Sequence, residues 1–410
     1  MMRGVIGLAA IMALAWAIGE RRGFSLRRVA AGLGLQFGLA ALLLRLPWMS
    51  HLFLWLNKVT EALSDATLAG CSFLFGYLGG GPLPFTPTPG SSTWVFAFVS
   101  LPMIIVLSAL SALLFHWGVL QRLVRGFSLL LRRSMGIGGA LGVGVSANIF
   151  MGMVEAPLLI RHYLRNMTHS ELFALMTTGM ATIAGTVLVL YAQVLSPILD
   201  NALGQILTAS LISCPASLLI AELMVPETRE PSEGGAIEVR YRSGMDAVSE
   251  GTAEGLKLYM NVAAMLLVYV ALIHLLNAVV GGLPDVGGRP LSLQRLFGWL
   301  FAPLAWLLGI PWSECSAAGQ LLGTKAVINE LVAYMDMASL PAGTFSPRSV
   351  LILTYALCGF ANPGSVGIML GGMGGMVPER RQEMLSLGLR AALGGMLASC
   401  MTGAVIGIIG

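Results

Sequence analysis

Apolar runs long enough to cross a bilayer recur along nearly the whole chain, separated by short stretches in which arginine gathers. A bilayer core takes about 17 to 25 helical residues. Windows of that length predict spanning helices at 3–19, 29–47, 94–116, 170–195, 201–224, 258–280, 349–371 and 384–408. The pattern predicts an all-α integral membrane protein with eight transmembrane helices, organised as one membrane domain over 1–410.

Composition agrees with the pattern. Of 410 residues, 56% are hydrophobic and 11% are charged, where a soluble domain carries about a quarter charged residues. The net charge of +4 is small for the length, and nothing in it points to nucleic acid. Cys71, Cys214, Cys315, Cys358 and Cys400 are scattered singly with no CxxC or metal-type spacing, so neither a disulfide framework nor a zinc site is suggested, and they read as small core residues. The five histidines form no HExxH-type group; His274, within an apolar helix, reads as a packing residue rather than a proton carrier.

Orientation follows from the arginines. Arg21, Arg22, Arg27 and Arg28 place the first connection in the cytoplasm, so the first helix is retained rather than cleaved as a signal. Both termini are then outside. Alternation puts Arg122, Arg125, Arg132 and Arg133, Arg161 and Arg165, and Arg380 and Arg381 on the cytoplasmic side as well. The 226–257 connection is more acidic than basic, but acidic residues weigh little on orientation. Its Pro, Ser and Gly content makes it the most mobile inter-helix segment.

Three regions fit no simple span. LQRLVRGFSLLLRRSMG at 120–136 interleaves arginine with apolar residues, as in a helix lying on the inner surface. LSLQRLFGWLFAPLAWLLG at 291–309 is its counterpart at the outer surface. Each precedes a Gly-rich stretch with one carboxylate, 137–166 around Glu155 and 312–340 around Glu330, and each stretch precedes two spanning segments. Such stretches fit re-entrant hairpins that reach mid-membrane and return. Two units of the same order starting from opposite faces predict an inverted repeat. The chain then divides into scaffold helices at 1–119, a first repeat at 120–224, a loop and scaffold helix at 225–280, and a second repeat at 285–410.

A carboxylate at bilayer depth costs about 2.5 to 3.5 kcal/mol on insertion scales, so Glu155 and Glu330 need a wet cavity or a partner. Two spans also carry breaks. TTGMATIAGT at 177–186 puts two glycines and four threonines at the centre of one, and CGFANPGSVG at 358–367 puts Asn362, Pro363, Gly364 and Ser365 at the centre of another. Proline lacks the NH and its ring clashes with the preceding turn. Broken helices expose carbonyls and helix ends that hold cations and polar substrates; packing kinks are the plainer alternative.

The stretches GMVEAPLLIRHYL, MTHSELFALMTTGMATIAGTVLVLYA, GTKAVINELVAY and YALCGFANPGSVGIMLGGMGGMVPERRQEMLSLGLRAALGG resemble the concentrative nucleoside transporter family. GLGLQF and GCSFLFGYL near the start extend the likeness to nearly the full chain. The resemblance implies a homotrimer of eight-helix protomers with two re-entrant hairpins in the bacterial inner membrane. It also implies import of nucleosides on a sodium or proton gradient by an elevator motion, with no organic cofactor and no enzymatic activity.

Carried over by position, Glu330, Asn362 and Ser365 match residues that hydrogen-bond the ribose, with Phe360 beside them. Glu155 matches a hairpin carboxylate near the base and Val187 an apolar contact beneath it. Asn148 and Thr182 match side-chain oxygens around a sodium ion, with carbonyls near Met151 and Ile183. The chain departs at Met153 and Val154, where the family commonly has Gln and Thr bonded to the base. Uracil-type recognition is then in doubt, and purine, broad or other ribosyl selectivity is open. Two rivals remain: an intramembrane hydrolase using Glu155 and Glu330 as acid and base, and a nucleoside-sensing membrane module of the same fold.

Overall fold

The computed structural model describes every residue except 1, 22, 46, 89–92, 231, 235–240, 287 and 289, and the side chains of 47–54. Among the described residues the chain is helical, without strands. In order the helices are α1 (Met2–Ile18), α2 (Leu26–Arg45), α3 (Pro47–Phe75), α4 (Phe96–Val99), α5 (Met103–His116), α6 (Val119–Met135), α7 (Gly139–Asn148), α8 (Glu155–Leu158) and α9 (His169–Ala181). They continue as α10 (Gly185–Leu195), α11 (Ala202–Met224), α12 (Gly244–Val280), α13 (Leu293–Leu307), α14 (Trp312–Val327), α15 (Glu330–Ser339), α16 (Pro347–Leu357), α17 (Pro363–Met376) and α18 (Arg381–Ile409).

By length and composition, six segments among the described residues are apolar enough to cross a membrane: Leu26–Arg45, Phe96–His116, His169–Leu195, Ala202–Met224, Gly244–Val280 and Pro378–Ile409. The pair α13 and α14 would add a seventh if taken as one span, but it is bent by 117°. Met2–Ile18 is a shorter apolar helix, and the region read as 349–371 is split into α16 and α17. The protein is thus a multi-pass membrane protein. Its outer faces match: Leu267 and Val279 on α12 are 72% and 74% exposed, as suits apolar side chains facing lipid.

Three readings of the chain change. The 29-residue helix α3 was not anticipated, because Lys58, Glu61 and Asp65 interrupt its apolar run. The connection at 226–257 is shorter than expected, since α12 begins at Gly244, capped by Ser243 Oγ accepting from Asp246 N; residues 231 and 235–240 of it lie outside the described residues. His274 is exposed on α12 rather than packed inside.

The interior is built on α9 and α11, whose residues are nearly all buried, and on α18, buried without interruption from Gly394 to Gly407. Helix α18 approaches both interrupted helices. A Cβ at Gly395 would lie 2.5 Å from Met180 Cβ in α9, and one at Gly403 would lie 2.8 Å from Ala356 Cβ in α16. Small residues let backbones come this close in a membrane, where packing rather than the hydrophobic effect holds helices together.

Candidate functional site

Four helix ends meet in the interior because the sequence interrupts its helices there. α9 stops at Ala181 and α10 starts at Gly185. α16 stops at Leu357, and α17 starts at Pro363 with Asn362 as N-cap, its Oδ1 accepting from Ser365 N at 2.9 Å. Asn at the cap and Pro at the first helical position are the preferred residues for such a start. In the same way Asn329 caps α15, with Oδ1 2.9 Å from Val332 N, which sets Glu330 in its first turn. The two breaks touch. Gly359, at φ +146°, leaves no room for a side chain: a Cβ there would sit 2.8 Å from the carbonyl oxygen of Ala181.

A cavity of about 130 Å³ opens at these ends. Met153, Val154, Glu155, Val187, Glu330, Phe360, Asn362 and Ser365 all line it, so every residue expected to hold substrate comes to one place. Glu330, 3% exposed, is its polar centre. Tyr191 Oη donates to Glu330 Oε1 at 2.5 Å, and Asn362 Nδ2 donates to Oε2 at 3.3 Å. A carboxylate has about four acceptor sites, so each oxygen keeps a lone pair for a hydroxyl.

Tyr191 was not anticipated. Its signal was present in VLVLYA, where it is the one polar side chain, one helical turn beyond Val187.

The second carboxylate is set differently. Glu155 opens the short α8 and is half-buried, folded back over the preceding turn so that a Cβ at Gly152 would lie 2.0 Å from its Oε2. Val154 packs on α17, 2.6 Å from where a Cβ of Gly372 would be, and Met153 Cβ lies 3.0 Å from the corresponding position of Gly179 in α9. The tip at 153–154 therefore presents apolar side chains to the cavity, as the sequence departure predicts.

Beneath the tip lie the residues expected around the ion. Asn148, Met151, Thr182 and Ile183 are at most 8% exposed. The turn carrying Asn148 rests on the α9–α10 break: a Cβ at Gly185 would meet Phe150 O at 2.5 Å, and one at Gly179 would be 3.7 Å from Asn148 Nδ2. Both Asn148 amide atoms are buried without a hydrogen-bond partner. Thr182 Oγ1 donates to Thr178 O at 2.9 Å and keeps its acceptor lone pairs. An orphaned amide oxygen, a hydroxyl and the C-terminal carbonyls of α7 and α9 form a donor set of hard oxygens, and helix C-termini favour positive charge. The set fits a small monovalent cation.

The comparisons with known proteins agree. Three sequence profiles match in succession: Na+ dependent nucleoside transporter N-terminus at 6–78, Nucleoside recognition at 97–198, and Na+ dependent nucleoside transporter C-terminus at 205–407. The transporter YutK of Bacillus subtilis is 36% identical, over 99% of this chain and 98% of its own. The nucleoside permease NupC of Helicobacter pylori is 33% identical, over 98% and 96%. The solved structure of CNTnw in an inward-facing substrate-bound state superposes with a TM-score of 0.89 at 36% identity, covering 99% of this chain and 98% of that one. The chain therefore belongs to the Na+ dependent nucleoside transporters, a family of carriers and not of enzymes.

Proposed function

We propose that the protein is a symporter that imports nucleosides together with sodium. The observation that carries this reading is the carboxylate of Glu330, held by Tyr191 and Asn362 in a buried cavity where two interrupted helices meet. Glu330, Asn362 and Ser365 take the ribose hydroxyls, Phe360 and Val187 supply apolar walls, and Glu155 with Met153 and Val154 faces the base. Sodium sits among Asn148, Thr182 and the carbonyls near Met151 and Ile183. A bound cation joins the turn at 148–151 to the α9–α10 break and so fixes the tip that bears Met153, Val154 and Glu155. Coupling follows when ion and nucleoside both favour the same closed arrangement.

The architecture that goes with this reading has eight spans and two hairpins that enter the membrane and return. The bent α13–α14 pair supports a break from straight spanning at the second hairpin. Residues 120–224 and 285–410 are its inverted halves, and 1–119 with 225–280 the scaffold. The hairpin-bearing unit moves against that scaffold as an elevator, within a homotrimer in the bacterial inner membrane, both termini outside.

The test is uptake of labelled nucleoside by proteoliposomes. Accumulation above equilibrium under an inward sodium gradient is expected. Accumulation that follows a proton gradient with sodium absent would overturn the choice of ion, and equilibration without accumulation would overturn symport.

A further inference from the structure

One wall of the cavity comes from α12, which contributes Leu258, Asn261, Val262, Met265 and Tyr269; Met265 Cε and Tyr269 Oη lie 2.8 Å from where a Cβ of Gly364 would be, beside Asn362, and Asn261 stands one turn before Met265. Their spacing places them on one face of the helix. This helix is bound elsewhere: Cβ atoms at Gly251 and Gly255 would lie 2.8 Å from Ala109 Cα and 2.7 Å from Ile105 Cα of α5, and Tyr259 Oη donates to Ala97 O at 3.2 Å. It reaches the site only through the face that includes Asn261.

Three asparagines line the cavity, and two are committed. Asn329 caps α15, and Asn362 both caps α17 and bonds Glu330. Asn261 makes no side-chain hydrogen bond among the described residues. It is exposed on α12 within LYMNVAAMLLVY, otherwise apolar apart from its tyrosines, so its amide is open to a ligand in the cavity it lines. At the hairpin tip the Glu155 carboxylate, an acceptor when ionised, is the one polar side chain beside Met153 and Val154, so the acceptor atom of a base held at its ribose end finds its donor on another wall. One carboxamide supplies a donor and an acceptor in one plane, matching the adjacent donor and acceptor of a nucleobase edge.

We propose that Asn261 is a specificity-determining residue that reads the base edge of the nucleoside from α12, in place of the polar pair absent from the hairpin tip. This rests on the reading of the cavity as the nucleoside site. Because α12 is locked to α5, the contact joins substrate to a part of the protein other than the hairpins and broken helices that hold its sugar.

The experiment measures initial uptake by the full chain in proteoliposomes under a sodium gradient. Adenosine is compared with purine riboside, which lacks the exocyclic amino group, and uridine with its 4-deoxy analogue. In at least one pair the wild type is expected to show a KM for the parent lower by roughly three- to tenfold, the worth of one hydrogen bond. Asn261→Ala should bring that ratio to about one by raising the KM of the parent and not that of the analogue, whose uptake reports folding in the same preparation. Asn261→Gln should restore part of the difference. An unchanged ratio in Asn261→Ala, or a wild type that distinguishes neither pair, overturns the role of Asn261 while leaving the transport reading intact. A wild type that accumulates no nucleoside overturns both.

Discussion

Lys325 donates a 2.8 Å hydrogen bond from Nζ to the carbonyl oxygen of Ala356, at the C-terminal end of α16 just before its break. The ammonium is fully buried and donates also to Ser399 Oγ of α18 at 2.5 Å. One side chain thus joins α14, the broken helix α16–α17 and the helix that supports both breaks. A cation at a helix C-terminus is favourably placed against the dipole.

Lys325→Met keeps much of the stem's volume and removes the donor. The Ala356 carbonyl is then left buried and unpaired, which costs about 1 to 3 kcal/mol. A lowered thermal midpoint in detergent and loss of uptake are expected, with partial recovery in Lys325→Arg. Full activity and unchanged stability in Lys325→Met would remove any role for this contact.

Tyr191 and Glu330 make a pair that separates positioning from binding. Tyr191→Phe removes only the hydroxyl that orients the carboxylate. A hydrogen bond to a charged group is worth about 1.5 to 3 kcal/mol, so nucleoside KM should rise by about tenfold or more with the fold unchanged. Glu330→Gln removes the acceptor itself and should abolish uptake. If both variants transport normally, substrate binds elsewhere.

The proposed ion site has a different signature. Thr182→Ala and Asn148→Ala each remove an oxygen from the set beneath the 153–154 turn. Sodium for half-maximal uptake should rise several-fold, while KM for nucleoside at saturating sodium changes far less. Equal effects on both constants would place these residues in the substrate site instead.

Gly152→Ala is the most local test. Its methyl group would occupy the space of Glu155 Oε2, 2.0 Å away, and the carboxylate must turn elsewhere. Uptake should fall to the level of Glu155→Gln, with no further loss in the double variant. Additive losses would separate the two positions.

Much of this was legible in the chain, for reasons that lie in particular residues. Pro363 behind Asn362 removes an NH from the ladder, and the glycines and threonines of 177–186 weaken a helix where they gather, so both breaks could be read. Asn329 ahead of Glu330 is a cap followed by a first-turn acid, a signal of that helix start that the chain carried and the sequence reading did not use. What escaped was of two kinds. Charges on α3 and on the first turns of α12 read as loop, because a hydropathy window cannot tell a polar face on a long helix from a connection. Individual polar side chains within the helices, Tyr191, Lys325 and Asn261, form no repeating pattern. Their meaning depends on which face they occupy and what stands across from it.

The contact between Gly359 and Ala181 has a mechanical consequence. The α9–α10 gap and the α16–α17 gap abut with no side chain between them, so neither can widen independently of its neighbour. Even alanine at 359 would act as a wedge, prying apart two helix breaks that the native backbone holds in register.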